Sequence, residues 1–170
     1  DAFYRKNLPT LQDPIIFDIQ QAPYQIRAAD HDCYLFHVSG EFLASLYSKH
    51  GEQLLQQNIR VYQGDKGTNA SILKTCTGPD LANFLHYNNG VTFLCETAQW
   101  DGFTHKLNME RAQIVNGGQT VRVLCNAAQD GTLKPDVLIS AKILTSQGNK
   151  EFASNVAVNL NNQNRIEPSF

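Results

Sequence analysis

Between Arg111 and Leu124 a short apolar strand runs into a pair of glycines and straight on into a helix-like pattern. Few junctions constrain a chain more. Gly117 and Gly118 let the backbone turn tightly and approach a neighbour or a ligand closely, and the amides that open the following helix point at negative charge. The same sequence also suits an ordinary strand-turn-helix corner, and a glycine-rich turn alone does not decide between the two.

Two further segments share its character: Phe84 to Phe93, with Tyr87-Asn88-Asn89-Gly90, and Val158 to Arg165, with Asn161-Asn162-Gln163-Asn164. All three are rich in carboxamides. Asn and Gln carry a donor and an acceptor on one group, so a cluster of them can read a base edge, a sugar hydroxyl or a phosphate without added charge. Asn88-Asn89-Gly90 reads equally well as a turn, because Asn and Gly tolerate positive φ. If the segments form one site, its residues are Asn88, Asn89, Gly90, Asn116, Gly117, Gly118, Gln119, Thr120, Arg122, Asn161, Gln163 and Arg165. The Asn-Asn-Gly and Asn-Gly-Gly-Gln-Thr segments are then expected to meet in the fold, and valine at Gly117 or Gly118 to abolish binding while leaving the domain folded or modestly destabilised.

A chain of 170 residues suits one domain with a core of its own and leaves no room for two large ones. We read residues 1–38 as lead-in strands and 39–170 as the core. The abrupt ends, Asp1-Ala2-Phe3 without an initiator Met and Glu167-Pro168-Ser169-Phe170 just past a helical pattern, suggest a piece of a longer protein whose other domains are partners. The net charge of −2 gives no global attraction for nucleic acid or an acidic membrane. Cys33, Cys76, Cys95 and Cys125 lack zinc-ligand spacing and read as free thiols of a reducing cytoplasm. No apolar run is long enough to span a bilayer and no signal sequence stands at the start, so the expectation is a cytoplasmic protein without membrane contact.

Periodicity predicts strands at Ile15–Phe17, Cys33–Val38, Asn58–Tyr62, Val91–Glu96, Lys106–Met109, Gln113–Val115 and Asp136–Leu144. Helices are predicted from Ser39 to a break at Gly51, from an Asn69 cap to Lys74, from Pro79-Asp80 to His86, over Gln119–Ala128 and over Lys150–Asn161. The interleaving argues for an α/β or α+β domain, a mixed sheet flanked by helices. The Gly64-Asp65-Lys66-Gly67-Thr68 loop lacks the Gly-Lys-Ser/Thr ending of a phosphate loop and reads as an exposed turn.

The order Tyr62, Tyr87-Asn88-Asn89-Gly90-Val91-Thr92, Gln113 to Thr120, then Asn161-Asn162-Gln163-Asn164 resembles the AIPR (abortive infection phage resistance) family. The likeness covers the chain from about Tyr47 to its end and includes Tyr47 to Gly51, Leu54-Leu55 and Asn58-Ile59-Arg60. It implies a bacterial antiphage context. Val115 to Arg122 is also similar, more distantly, to the strand-glycine-helix signature of ParB/sulfiredoxin-like nucleotide-binding domains. That likeness implies a nucleotide on the Gly117-Gly118 turn, an NTP with Mg²⁺, either bound or hydrolysed. Pro135 to Leu144 would be the next strand and Glu151 to Gln163 the helix contacting phosphate or its metal. Asn161 and Gln163 fit that pattern. Gly118, Thr120, Leu160 and Asn164 stand where those domains carry Glu or Gln, Arg, Glu and Arg, so hydrolysis is less secure than binding. Arg122 and Arg165 could partly substitute, although Arg122 reads as readily as a surface charge.

Other groups carry less. His86 could serve as a general base or simply cap its helix. His31, Asp32 and His37 could pair or bind metal, but no third ligand follows at sensible spacing. Asp136 and Lys142 approach a nuclease array in which Ser140 occupies the place of an acid. Arg60-Val61-Tyr62 with Lys74 could stack a base or form a surface strand. Two readings from other classes remain beside nucleotide binding: a nucleic-acid-binding module sensing phage or modified DNA, and a purely structural domain.

Overall fold

The computed structural model describes residues 11–55, 66–79 and 81–163, except for the side chains of 66–68, 82 and 161–163. The expected strand Asn58–Tyr62, the Arg60-Tyr62 face, most of the Gly64 loop, the side chains of Asn161 and Gln163, and Arg165 lie outside them.

Alternating residues of Ile15–Asp18 (β1) turn Ile15 and Phe17 inward. Tyr24–Arg27 (β2) and Asp32–Ser39 (β3) form an antiparallel hairpin. Ser39 ends β3 and caps the helix Gly40–His50 (α1), its Oγ accepting the Phe42 amide at 3.1 Å. Gly51, at φ 61°, stops α1, and a 3₁₀ turn, Gly51–Leu54, follows. Next come Lys66–Thr77 (α2), a 3₁₀ turn Leu81–Asn83 and the short helix Phe84–Tyr87 (α3). Four strands succeed them: Val91–Cys95 (β4), Thr97–Asp101 (β5), Lys106–Glu110 (β6) and Gln113–Asn116 (β7). Gly118–Gln129 (α4), Leu138–Thr145 (β8) and Lys150–Gln163 (α5) complete the described chain.

The expected mixed α/β class holds, with the strands divided between two sheets. The larger has the order β2-β3-β8-β4-β7, in which β4 and β8 run parallel and the other pairs antiparallel; the smaller is β1-β6-β5. Helices α1 and α4 pack on each other. Phe17 joins the layers: its ring centroid lies 5.1 Å from Phe36 of β3, 4.9 Å from Phe42 of α1 and 5.5 Å from Phe93 of β4. The strands within 1–38 are therefore built into both sheets, and β3 lies between β2 and β8 rather than leading in to a core elsewhere.

Several boundaries differ from those predicted. Helix α2 begins at Lys66, so Asn69 lies inside it and caps nothing; the helix packs against α4. Beyond Pro79 the chain makes a 3₁₀ turn and only a four-residue helix. Pro135 and Asp136 occupy a turn, and β8 starts at Leu138. Strands β2 and β5 were not predicted at all.

Candidate functional site

β4 and β7 run side by side, with Thr92 opposite Asn116. The turn that enters β4 and the turn that leaves β7 consequently share a corner. Asn88 ties it together, its Oδ1 accepting the Gly90 amide at 2.8 Å and its Nδ2 donating to Thr120 Oγ1 at 3.0 Å. Thr120 is buried. The carboxamide of Asn88 thus bonds the turn to the helix, while Asn89 is exposed and Gln119 half-buried. Helix α5 runs against β7, whose last residue is Asn116.

The two glycines are not equivalent. Gly117 is the N-cap of α4 in the left-handed conformation, φ 89°, and a Cβ there would sit 2.5 Å from the Gly90 carbonyl oxygen and 3.0 Å from Val91 Cα. Gly90, at φ 85°, is equally confined: its Cβ would lie 2.6 Å from the Ser140 carbonyl oxygen. Backbone meets backbone at both positions, and neither can yield cheaply. At Gly118, by contrast, the nearest atoms a Cβ would meet among the described residues belong to the Leu55 side chain, the first at 3.2 Å. For valine at Gly117, expected to leave the domain folded or modestly destabilised, strain and overlap act together and raise the cost above that of φ alone.

No side chain caps α4. The first-turn amides of a helix have no intrahelical acceptors, so a chain that enters through glycine presents them to whatever lies above. Arg122, one turn on, is no loose surface charge. Its Nη2 donates to Glu52 Oε2 at 2.7 Å, and Tyr47 donates its hydroxyl to Glu52 Oε1 at 2.8 Å. Burial opposes the Arg122 charge, but the hydrogen bonds and charge of Glu52, with help from Tyr47, outweigh it and raise the guanidinium above its ordinary pKa. Burial foremost, then Glu52, raises the Tyr47 phenol, which stays protonated as the donor. Arg122 Nε is buried without a partner among the described residues.

The remaining chemistry expected from the sequence stays scattered. His86 is exposed at the end of α3. His31 pairs with Asp30 at 2.9 Å, not with Asp32, and stacks on Phe152 at a centroid distance of 4.4 Å. His37, Ser140 and Lys142 are exposed on strands, and Lys74 is exposed on α2. Among the described residues no group of three His, Cys, Asp or Glu could hold a metal ion. The donors at the corner are amides and carboxamides, and Glu52 is engaged by Arg122 and Tyr47, so the residues described do not form a Mg²⁺ site. All four cysteines are free and buried. Among the described residues no helix is long and apolar enough to cross a membrane.

A family model described as "AIPR protein" matches residues 55–169. The chain belongs to the AIPR family. That membership points to bacterial abortive infection and antiphage defence, and the matched span contains the whole Asn88–Gly90 and Asn116–Thr120 corner. No curated protein matches the chain, and no solved structure does. The ParB/sulfiredoxin likeness accordingly rests on the local order strand, glycine turn, helix around Gly117.

Sequence reasoning missed the Glu52–Arg122–Tyr47 cluster. Its signal was present but faint: Tyr47 and Glu52 lie five residues apart across the Gly51 break, which folds the second back beside the first.

Proposed function

We propose that this AIPR domain serves antiphage defence by binding a nucleotide at the glycine corner, with phosphate on the amides of Gly118 and Gln119 at the start of α4. The observation supporting this reading is the start of α4, where the N-cap makes no side-chain cap and the Gly118 and Gln119 amides open the helix beside the Asn88–Gly90 turn. Asn89 and Gln119 would supply neutral hydrogen bonds to base or sugar. Arg122, held in place by Glu52, would lend positive charge from the first turns of the helix. Asn161, Gln163 and Arg165 extend the proposed set from the chain's C-terminal segment. The activity proposed is binding; among the described residues the corner's donors are amides and carboxamides, and NTP turnover would draw an acid and an arginine from elsewhere.

Calorimetry with ATP and GTP tests this directly. Binding should be saturable, and Gly118→Val, whose nearest described neighbour is the Leu55 side chain, should abolish it in a folded protein. Alanine at Asn161 or Gln163 should weaken binding about tenfold or less, the worth of one neutral hydrogen bond. Unchanged affinity in a folded Gly118→Val protein would leave the corner a packing device. Salt-sensitive binding of DNA or RNA with no NTP binding would transfer the function to nucleic-acid recognition.

A further inference from the structure

The larger sheet has two faces of different character. Phe36 and Val38 of β3 and Ile139, Ala141 and Ile143 of β8 are buried against the core. The residues between them along each strand turn the other way. The register sets Tyr24 of β2 beside Leu35 of β3, and Leu35 beside Lys142 of β8; in the next row His37 stands beside Ser140. Helix α5 runs against β7, at the opposite edge of the sheet from β2, and Tyr24, His37, Ser140 and Lys142 are all exposed.

Three features of this outer face select its partner. The first is open aromatic and apolar surface. Tyr24 is 68 % exposed, and Ile26 and Leu138 on the same face are each 46 % exposed. Tyr24 and His37 are diagonal neighbours across β2 and β3, about 7–8 Å apart, a spacing that lets flat bases stack on the two rings. The second is cation without counter-charge. Lys106, Arg111 and Arg122 each pair with an acid, whereas Lys142 has no ion pair among the described residues. The third is the lack of acids: no residue on this face of β2, β3 or β8 is Asp or Glu, and Asp32 faces Arg27 on the other side. On a chain of net charge −2, such a local patch is what draws a polyanion. A single strand can splay its bases onto exposed rings and lay phosphate on a lysine. A duplex keeps its bases stacked inside and offers this face phosphate alone.

We propose that the outer face of β2, β3 and β8 binds single-stranded nucleic acid, with bases stacked on Tyr24 and His37 and backbone phosphate on Lys142. The surface is separate from the start of α4, and its binding does not depend on a nucleotide at the glycine corner. Either site can therefore fail without the other.

A fluorescein-labelled oligothymidylate of about ten nucleotides, titrated with the protein at low salt and followed by anisotropy, should bind saturably. Tyr24→Ala should weaken it about fivefold or more, the worth of one stacked base. Lys142→Gln should lower the slope of log affinity against log salt by about 0.7, the share of one phosphate contact on a single strand. Both side chains are exposed, so both variants should keep the fold. Gly118→Val should leave oligonucleotide binding unchanged, and Tyr24→Ala should leave calorimetry with ATP unchanged. No saturable binding of the oligonucleotide would overturn the proposal, as would equal affinity for its duplex with oligoadenylate. So would unchanged affinity in Tyr24→Ala, an unchanged salt slope in Lys142→Gln, or loss of oligonucleotide binding in a folded Gly118→Val protein, which would move the nucleic acid to the corner.

Discussion

The two ends of β4 solve opposite packing problems. At its start, beside Gly90 and Gly117, main chain lies on main chain with no room for a methyl group, and Asn88 stitches turn to helix. Past its end, after Cys95, the β2–β3 and β5–β6 hairpins stand apart and leave a groove with Gln25, Arg27 and Asp32 in its wall. The contrast shows how to weigh a glycine-rich motif. Gly117 has a sufficient reason in packing alone, so its presence says little about a ligand, whereas a side chain at Gly118 would press on the Leu55 side chain and not on backbone, and Gly118 therefore bears the functional question. Open space, not glycine, is what distinguishes the far end.

The largest test of that contrast is Gly117→Val. Left-handed φ and a 2.5 Å approach to the Gly90 carbonyl should together cost at least about 3 kcal/mol, read from the urea midpoint; a loss under about 1 kcal/mol would mean that the corner relaxes and is not rigid. Next is Glu52→Ala, which leaves the Arg122 guanidinium half-buried without its acceptor and should cost about 1–3 kcal/mol. Glu52→Gln should recover part of that loss. Equal stability of all three proteins would detach the Arg122 cluster from the glycine end.

Alkaline titration probes the other side of the comparison. Burial pushes the Cys95 thiol from an ordinary value of 9.0 up to about 12. A raised folded-state pKa means that the unfolded chain loses its proton first, so stability is full below pH 9 and falls between about pH 9 and 12. Cys95 alone should account for about 1.4 kcal/mol by pH 10, and the other three cysteines, raised by burial too, add in the same direction. Flat stability from pH 8 to 10, or rapid alkylation of Cys95 in the native protein, would show that water reaches the end of β4 through the groove. The smallest effect belongs to Gln99→Ala: on an exposed edge strand it should change stability by less than about 0.5 kcal/mol, and a larger loss would make the outer face of β5 part of the core.

Much of this architecture was legible because the inward faces are spelled in regular periods. Ile15 and Phe17, the β4 and β7 runs, and Thr120, Val121 and Leu124 on α4 all announce their elements. Strand β2 escaped because only Gln25 of its four residues is even partly buried, so apolar alternation does not mark it. Strand β5 did alternate, turning Ala98 and Trp100 inward before the Asp101-Gly102 turn, but its polar residues masked the pattern. Of the candidate site, the meeting of the Asn88–Gly90 and Asn116–Thr120 segments followed from shared composition at strand ends. The division of labour between Gly117 and Gly118 did not, because it depends on which backbone passes within 3 Å of each. The groove was invisible to sequence for the same reason: its wall is assembled from two hairpins far apart in the chain.

The pairing of β3 with β8 has a consequence in time. Strand β3 is spoken for on one side by β2, yet its other side waits for Leu138–Thr145, and β1 waits for β6. During synthesis the aromatic stretch around Phe17, Tyr34 and Phe36 therefore leaves the ribosome long before its partners exist. A topology of such distant pairings folds slowly and late. Until β8 emerges the far edge of β3 has no partner, and shortening the chain before Leu138 removes the strand that joins the β2–β3 hairpin to the rest of the larger sheet.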